Sequence, residues 1–291
     1  MPEPGMEEGF WIPNEVLDAQ LVLMDSAQVF HWTETQSGLS AVCAGRAVTL
    51  AQGSKGLLLK GATPADWPFW AHYFDLDRDY SGIKAKVSHL PMARRALELL
   101  PGMRVLNQPV WEALVAFILS ANNNVKRIRN LVNALSRELG QAYSVDGAVL
   151  YGFPTPHALA GAGEDRLRAL GCGYRAPYLT ETARKIDQGF DLRALSEMDY
   201  ESALKRLMEL KGVGEKVADC VLLFGAGHGD AFPVDVWVER MMRAWFTPEL
   251  SGRHRIKLAG RALFGKQAGI IQQYLFHCAR MGLMDLEQRA V

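Results

Sequence analysis

The hydrophobic pattern changes its period once along the chain. Between about residues 21 and 60, apolar positions form short runs, such as Leu39–Val42, Ala47–Ala51 and Gly56–Lys60. Glycine and serine separate these runs, as they do in turns between strands. The pattern predicts a small antiparallel sheet of four or five strands, after a loose lead-in over residues 1–15.

From about residue 63 onwards, apolar residues recur at helical spacing. The helix that carries Ile128, Leu131 and Leu135 on one face is followed by a predicted loop containing Pro154 and Pro156. The other predicted helices cover roughly residues 81–90, 91–99, 111–119, 157–161, 164–170, 177–188, 199–210, 215–225, 236–246, 254–264 and 267–283. The sequence therefore predicts an α+β protein, with an N-terminal antiparallel β-sheet domain over residues 1–92 and a helical domain over residues 93–291.

Composition narrows the class of protein. The chain has 291 residues, is 49% hydrophobic and carries no net formal charge, so a nucleic-acid partner has to be argued from local charge. No apolar run approaches the length of a membrane span, and the acidic N-terminus lacks a signal region, so an intracellular, cytoplasmic protein is expected. The four cysteines are widely separated and form no metal-binding spacing, so no metal is predicted from them.

The helix pair over residues 199–225 is joined by Gly212, Val213 and Gly214. Such a turn is common in ordinary helical hairpins, which is the simplest interpretation. Two glycines also let a backbone approach a ligand closely, and the amides that begin the second helix suit an anion such as a DNA phosphate. This stretch is therefore a candidate for DNA binding.

Lys216 lies in the first turn of the second helix, where a cation is slightly unfavourable against the helix dipole. A nucleophilic lysine must be neutral when it attacks, which burial and positive surroundings favour. Cys220 follows one turn later on the same face. Asp235 precedes another helix and is predicted to be its N-cap, a position where a carboxylate stays ionised and can also stabilise positive charge.

Other candidate residues each have an ordinary structural interpretation. Asn122, Asn123 and Asn124 suit the end of one helix and the start of the next. Arg127 suits a solvated helix face. Four further candidates could serve either in packing or in function: Tyr174, Arg175, Gln272 and Phe276.

Several motifs together resemble the 8-oxoguanine DNA glycosylases of the helix-hairpin-helix GPD superfamily. The hairpin LKGVGEKVADC at Leu210–Cys220, followed by Pro233–Asp235, is similar to the motif that names the superfamily. The segments Phe117–Ile128 and Leu167–Tyr178 resemble the corresponding family segments. Near the N-terminus, Gln28–Trp32 and residues 73–77 also resemble it. The resemblance extends over residues 16–283 and implies a TBP-like N-terminal sheet packed on an all-α glycosylase domain.

The resemblance implies a role for each candidate. Lys216 would attack C1′ of the damaged nucleotide and form a Schiff base, with electrostatic assistance from Asp235. Around the flipped base, Cys220 and Phe276 would form the walls, Gln272 would contact the Watson–Crick edge, and the carbonyl of residue 27 would accept the N7–H of 8-oxoguanine. DNA contacts are implied for Asn122, Arg127, Tyr174, Arg175, Gly212, Val213, Gly214 and Trp237.

Three positions depart from the family pattern. Ala27 replaces a glycine, and a positive φ there would cost on the order of 1 kcal/mol. Trp237 replaces a histidine that contacts phosphate, so its indole N–H would donate without a charge. Lys211 replaces a proline in the hairpin and would add a cation near the phosphate. None of these changes removes Lys216.

The sequence thus predicts a bifunctional DNA glycosylase and β-lyase that excises 8-oxoguanine opposite cytosine from double-stranded DNA. No cofactor is predicted, although hairpin carbonyls of Met208, Leu210 and Val213 are where the family can hold a structural cation. A monomer associated with the nucleoid and without membrane contact is expected. Two alternatives stay open: an alkylated-base DNA glycosylase, and a non-catalytic helix-hairpin-helix DNA-binding module.

Overall fold

The N-terminal part of the computed structural model is an antiparallel sheet. The model describes residues 9–287, so residues 1–8 of the predicted lead-in lie outside the described part. The strands are β1 (Phe10–Ile12), β2 (Thr33–Thr35), β3 (Gly38–Cys43), β4 (Arg46–Gly53) and β5 (Gly56–Lys60). They lie in the order β1-β5-β4-β3-β2, and two-residue turns join β2 through β5. The predicted sheet of four or five strands is confirmed.

Helices make up most of the described chain after the sheet. They are α1 (Trp67–Tyr73), α2 (Tyr80–Lys86), α3 (Pro91–Leu99), α4 (Val110–Ser120), α5 (Val125–Leu139), α6 (Pro156–Ala169), α7 (Ala176–Asp187), α8 (Tyr200–Met208), α9 (Glu215–Phe224), α10 (Val236–Trp245), α11 (Arg253–Phe264) and α12 (Ala268–Arg280). The α+β class is therefore confirmed. Within residues 9–287, no helix combines the length and the apolar composition that crossing a membrane requires.

Polar side chains fix the helix ends where the sequence predicted caps. The Asn124 side chain accepts a hydrogen bond from the Arg127 amide at 2.9 Å and begins α5. The Asp235 carboxylate likewise accepts from the Val238 amide at 2.9 Å and begins α10. Each satisfies an amide that has no partner within its own helix. Both predicted N-caps are confirmed.

Three local predictions were wrong. Residues Gln20–Asp25, predicted as part of a strand, form a π-helical turn, and β1 lies inside the predicted lead-in. The predicted loop before Pro154 contains a hairpin of β6 (Ala142–Val145) and β7 (Ala148–Tyr151). Its turn places Asp146 at φ 46° and Gly147 at φ 79°, as a two-residue hairpin of this kind requires. The Asp146-Gly147 pair in the sequence is typical of such a hairpin turn and could have predicted it.

The sheet is joined to the helices through two motif residues near its start. The Gln28 side chain is buried, accepts from the Leu106 amide at 2.8 Å and donates to the Arg104 carbonyl at 2.8 Å. Trp32 is fully buried, and its indole N–H donates to the Tyr73 hydroxyl at 2.9 Å. Because these buried polar groups are paired, the sheet and the helical layer have a defined relative position.

Candidate active site

The turn between α8 and α9 contains two glycines with different surroundings. Gly212 has φ 81°, and a Cβ there would lie 2.6 Å from the side chain of Tyr178. Gly214 is the N-cap of α9 in an extended conformation, and a Cβ there would meet no atom of residues 9–287 within 4 Å, apart from its chain neighbours and its own helix. The first glycine is therefore required by internal packing, whereas the second leaves the amides at the start of α9 open to an approaching anion.

Helix α7 holds this turn from one side. The Thr182 hydroxyl donates to the Lys211 carbonyl at 3.1 Å, and the Lys185 ammonium donates to the Glu209 carbonyl at 2.8 Å. Lys211 itself forms an exposed ion pair with Glu181. Lys211, one of the three departures from the family pattern, is therefore paired with a carboxylate of the protein itself.

Lys216 lies half-buried in the first turn of α9. Its ammonium donates to the Ser120 hydroxyl at 3.0 Å and lies 5.5 Å from the centre of the Phe117 ring. The Ser120 hydroxyl donates to the Phe117 carbonyl at 2.7 Å, which orients its oxygen to accept from the lysine. Sequence reasoning missed Ser120, although it lies within the segment used to recognise the family.

Lys216 and Asp235 both lie close enough to Cys220 for their charges to act on its thiol. Burial raises the pKa of the Cys220 thiol to about 11, against the opposing effect of the nearby Lys216 charge, whereas the Asp235 charge contributes to the rise. The cysteine is therefore a neutral, apolar surface at physiological pH. Asp235 is half-buried at the start of α10. One of its carboxylate oxygens accepts a hydrogen bond from the Val238 amide, which fixes the side chain.

The segment after α4 is held by an arginine that is only 4% exposed. Arg175 donates through Nε to the Ala121 carbonyl at 2.9 Å and through Nη2 to the Asn122 carbonyl at 3.0 Å. This fixes Asn122 in a left-handed conformation with φ 47°. Among residues 9–287, none accepts a hydrogen bond from Nη1 of Arg175.

Two exposed side chains border this segment. Tyr174 is 46% exposed; its hydroxyl donates to the Ala121 carbonyl at 3.0 Å, and the Arg175 guanidinium lies 4.4 Å from its ring centre. Arg127 is exposed in the first turn of α5. Trp237, on α10, is half-buried with the Arg240 guanidinium 5.6 Å from its ring. The structure thus brings Asn122, Tyr174 and Arg175 together.

Ala27 has φ 61°, the left-handed conformation that glycine adopts without strain. The two preceding carbonyls are held by α12, because Gln273 donates to the Ser26 carbonyl at 2.8 Å and Arg280 donates to the Asp25 carbonyl. The carbonyl of Met24 accepts from Arg129 at 3.0 Å. These contacts fix the backbone that leads into Ala27.

The same helix carries the two predicted base-pocket residues. Gln272 is 3% exposed, and its Oε1 atom accepts no hydrogen bond from residues 9–287. Phe276 follows one turn later and is half-buried, with the Arg280 guanidinium 5.7 Å from its ring centre. Arg280 also lies in the field of Asp235. This arginine connects the Ala27 segment with Phe276 and Asp235, and sequence reasoning did not single it out.

At the hairpin carbonyls, Leu210 accepts a hydrogen bond from the Val213 amide at 3.2 Å. A carbonyl oxygen has a second lone pair, so this bond leaves room for a cation ligand. The cation at Met208, Leu210 and Val213 stays a prediction.

Two family profiles match the chain. The N-terminal domain of 8-oxoguanine DNA glycosylases matches residues 10–114, and the HhH-GPD superfamily of base excision DNA repair proteins matches residues 115–259. A probable N-glycosylase/DNA lyase from Methanothermobacter thermautotrophicus is 36% identical over 234 residues, which are 73% of this chain and 73% of the relative.

Two solved structures are similar over nearly the whole chain. MBOgg1 in complex with a low-affinity DNA ligand has a TM-score of 0.90 and 31% identity, covering 97% of this chain and 98% of its own. The Clostridium acetobutylicum 8-oxoguanine glycosylase/lyase, in complex with double-stranded DNA containing cytosine opposite 8-oxoguanine, has a TM-score of 0.87 and 30% identity. It covers 92% of this chain and 93% of its own.

Proposed function

Because the chain belongs to the 8-oxoguanine DNA glycosylases of the helix-hairpin-helix GPD superfamily, a family of DNA glycosylases with AP lyase activity, we propose that it excises 8-oxoguanine opposite cytosine through a Schiff base on Lys216. The observation that carries this proposal is the position of the Lys216 amine. It is half-buried, is oriented by Ser120, and lies beside the open N-terminus of α9. A DNA phosphate bound at that N-terminus would bring the deoxyribose of a neighbouring nucleotide towards the amine.

In the proposed reaction, Lys216 first gives up a proton, and its nitrogen lone pair then forms a bond to C1′. The bond between C1′ and the base breaks, and its electron pair leaves with the base. The C1′–O4′ bond then breaks and O4′ takes up a proton, which leaves a Schiff base between C1′ and the lysine nitrogen. Loss of a C2′ proton next breaks the C3′–O3′ bond and expels the 3′ phosphate by β-elimination. The Asp235 carboxylate, held at the start of α10 by the Val238 amide, would stabilise positive charge that develops on the sugar.

The base would lie between Cys220 and Phe276. The neutral Cys220 thiol suits an uncharged aromatic ring. Oε1 of Gln272 would accept from the Watson–Crick edge: it accepts no hydrogen bond from residues 9–287, and a buried amide oxygen without a partner gains most from a donor supplied by the ligand. The Ala27 carbonyl would accept the N7–H that distinguishes 8-oxoguanine from guanine.

On the other strand, the orphaned cytosine would be contacted by the side chains near Asn122. Nη1 of Arg175 is available for that contact, while its other nitrogens hold the segment in place. Arg127 is exposed nearby along the chain, and Tyr174 is exposed enough to enter the base stack. Removing a base from the stack costs a few kcal/mol, which these contacts would offset.

Phosphate binding is assigned to the turn around Gly212, Val213 and Gly214 and to Trp237. Backbone amides can donate to phosphate oxygens whatever the base sequence of the DNA, so these contacts would position the DNA without reading its bases. Such contacts also explain how a chain with no net formal charge would bind a polyanion.

Borohydride trapping tests the mechanism. Wild-type protein is incubated with duplex that contains 8-oxoguanine opposite cytosine, and borohydride reduces any Schiff base to a stable covalent adduct. We expect the adduct from wild type and from Lys205→Gln, which removes an exposed lysine of α8, but none from Lys216→Gln. An active wild type without adduct, or an undiminished adduct from Lys216→Gln, would refute the mechanism. Excision of a methylated purine from a duplex, without excision of 8-oxoguanine, would support the alkylated-base alternative. Binding of damaged duplex without any excision would indicate a non-catalytic DNA-binding module.

Opposite-base preference is measured with the same duplex carrying cytosine or adenine opposite the lesion. The double substitution Arg127→Ala with Arg175→Ala is expected to bring the ratio of the two excision rates close to one. A ratio cancels any general loss of active protein. An unchanged ratio would show that these arginines do not contact the cytosine.

A further inference from the structure

Three polar side chains meet in the interior, between the sheet and α4. His31 lies just before β2, Cys43 ends β3, and Glu112 lies in the first turn of α4. Nε2 of His31 is 3.2 Å from Sγ of Cys43 and 3.9 Å from Oε2 of Glu112. The three ligand-type atoms lie within 4.8 Å of one another. The Lys216 chemistry proposed above uses none of them.

These side chains are almost fully shielded from solvent. Cys43 is 0% exposed and Glu112 is 5% exposed, while the His31 side chain is 6% exposed. The Glu112 carboxyl is held on one side only, because Oε1 accepts from the Ala44 amide at 2.8 Å. Oε2 has no hydrogen-bond partner among the described residues. A buried polar atom without a partner is costly, so its position opposite an imidazole and a thiol requires an explanation.

We propose that His31, Cys43 and Glu112 form a binding site for a divalent transition-metal ion, with Zn²⁺ as the best match. Zinc takes sulfur, nitrogen and oxygen ligands in tetrahedral geometry, with bond lengths that place ligand atoms roughly 3.4 to 3.6 Å apart. The two separations from His31, 3.2 and 3.9 Å, bracket this range. The third separation, between Cys43 and Glu112, is also within 4.8 Å, so side-chain rotations would enclose an ion.

The charge of the ligands selects a dication. A thiolate, a carboxylate and a neutral imidazole together carry two negative charges, so a dication makes the buried site neutral. On binding, the thiol and the carboxyl would release their protons to solvent if protonated. A monovalent ion would leave a net charge in the interior, which is strongly unfavourable. The thiolate and imidazole favour zinc over magnesium and calcium, which prefer oxygen ligands.

A fourth ligand can come from solvent. A surface cleft of about 540 Å³ is lined by Glu112 together with Ala44, Tyr143 and Phe153, among others. The His31 ring packs against Phe153, with the ring centres 5.1 Å apart. Of the three proposed ligands only Glu112 lines the cleft, so the ion and the water molecule that completes the tetrahedron would enter past this carboxylate.

The metal would act as a cross-link rather than as a catalyst. It would join two positions of the N-terminal sheet region to α4, whose opposite end carries Phe117 and Ser120 against Lys216. Glu112 and Ser120 are eight residues apart on one helix, or about 12 Å. Metal binding should therefore raise the stability of the protein without taking part in base excision.

Cobalt binding tests the site, since tetrahedral Co²⁺ reports its ligands by absorption. Metal-free protein is titrated with Co²⁺ and then with Zn²⁺, and bound metal is measured after dialysis. We expect one ion per chain, a thiolate-to-cobalt charge-transfer band, displacement of cobalt by zinc, and a higher melting temperature with zinc. The matched control Cys278→Ser removes another fully buried cysteine and should retain all of these properties.

Two variants decide whether the proposed ligands are correct. Cys43→Ser should lose the thiolate band. Glu112→Gln keeps the shape of the side chain and the Ala44 contact, and should bind cobalt at least about tenfold more weakly, since even residues outside the first ligand shell contribute that much. Absence of bound metal in wild type, or an unchanged affinity of Glu112→Gln, would overturn the proposal, even if Cys43→Ser fails to fold.

Discussion

Ala27 is the position at which one substitution tests both the backbone and the proposed recognition of the base. Its φ of 61° is left-handed, and the preceding carbonyls of Asp25 and Ser26 are held by Arg280 and Gln273. The chain therefore cannot relax this residue without breaking these hydrogen bonds. For an alanine, this conformation costs roughly 1 to 2 kcal/mol. Ala27→Gly removes that cost.

The expected gain is smaller than the strain, because glycine also makes the unfolded chain more flexible. That effect costs about 0.4 to 1 kcal/mol, so Ala27→Gly should stabilise the protein by about 0 to 1.6 kcal/mol. Ala134→Gly, within helix α5, should instead destabilise it by about 1 kcal/mol. Both variants share the unfolded-state effect. The difference of about 1 to 2 kcal/mol between them therefore isolates the strain at Ala27.

Urea unfolding followed by circular dichroism measures this difference. Ala44→Gly provides a second test of the backbone term, because Ala44 also has a positive φ of 48° and lies in the turn between β3 and β4. We expect Ala44→Gly to resemble Ala27→Gly. If Ala27→Gly destabilises the protein as much as Ala134→Gly does, the left-handed strain is refuted.

The same variant tests the proposed base contact. Because the backbone at Ala27 already has a conformation suited to glycine, its carbonyl should point in the same direction after substitution. The ratio of excision rates for 8-oxoguanine and guanine should then stay within about threefold, well under the tenfold that corresponds to 1.4 kcal/mol. A change beyond tenfold would mean that the Ala27 methyl group, and not its carbonyl alone, shapes the choice of base.

Two further predictions concern the residues around the lysine. Ser120→Ala removes the acceptor that orients Lys216 and should slow borohydride trapping about tenfold, with little loss of stability; an unchanged rate would exclude this role. In the hairpin, Gly212→Ala should destabilise the protein by at least about 1 kcal/mol, because of its φ of 81° and the contact with Tyr178. Gly214→Ala should fold normally but bind DNA more weakly, since its Cβ would stand over the open amides; equal stability losses, or unimpaired binding by Gly214→Ala, would contradict this distinction.

The fold and the chemistry of single positions could be predicted because they depend on local sequence. The caps at Asn124 and Asp235 are examples, since each satisfies an amide three residues away. The helical hairpin and its lysine were likewise visible as one short motif. Periodicity could not identify the π-helical turn at Gln20–Asp25, because a short apolar run fits a strand equally well.

Contacts between distant segments could not be predicted from the sequence. Ser120 and Lys216 are far apart along the chain, and nothing in either segment indicates that the hydroxyl accepts from the amine. Arg175 is 4% exposed and fixes Ala121 and Asn122, which lie 54 and 53 residues earlier in the chain. Such contacts follow from how helices pack, which is a property of the whole fold.

Helix α4 is the element that relates these separate contacts to one another. Its residues from Glu112 to Leu119 are all buried, so the helix cannot shift without disturbing packing on every side. At one end, Glu112 accepts a hydrogen bond from the Ala44 amide in the sheet. At the other end, Ser120 accepts from the Lys216 amine, and the carbonyl of the next residue, Ala121, accepts from Arg175. A displacement of α4 would therefore move the amine and the Asn122 segment together. The position of the amine relative to the Asn122 segment therefore depends on the packing of this helix against the sheet.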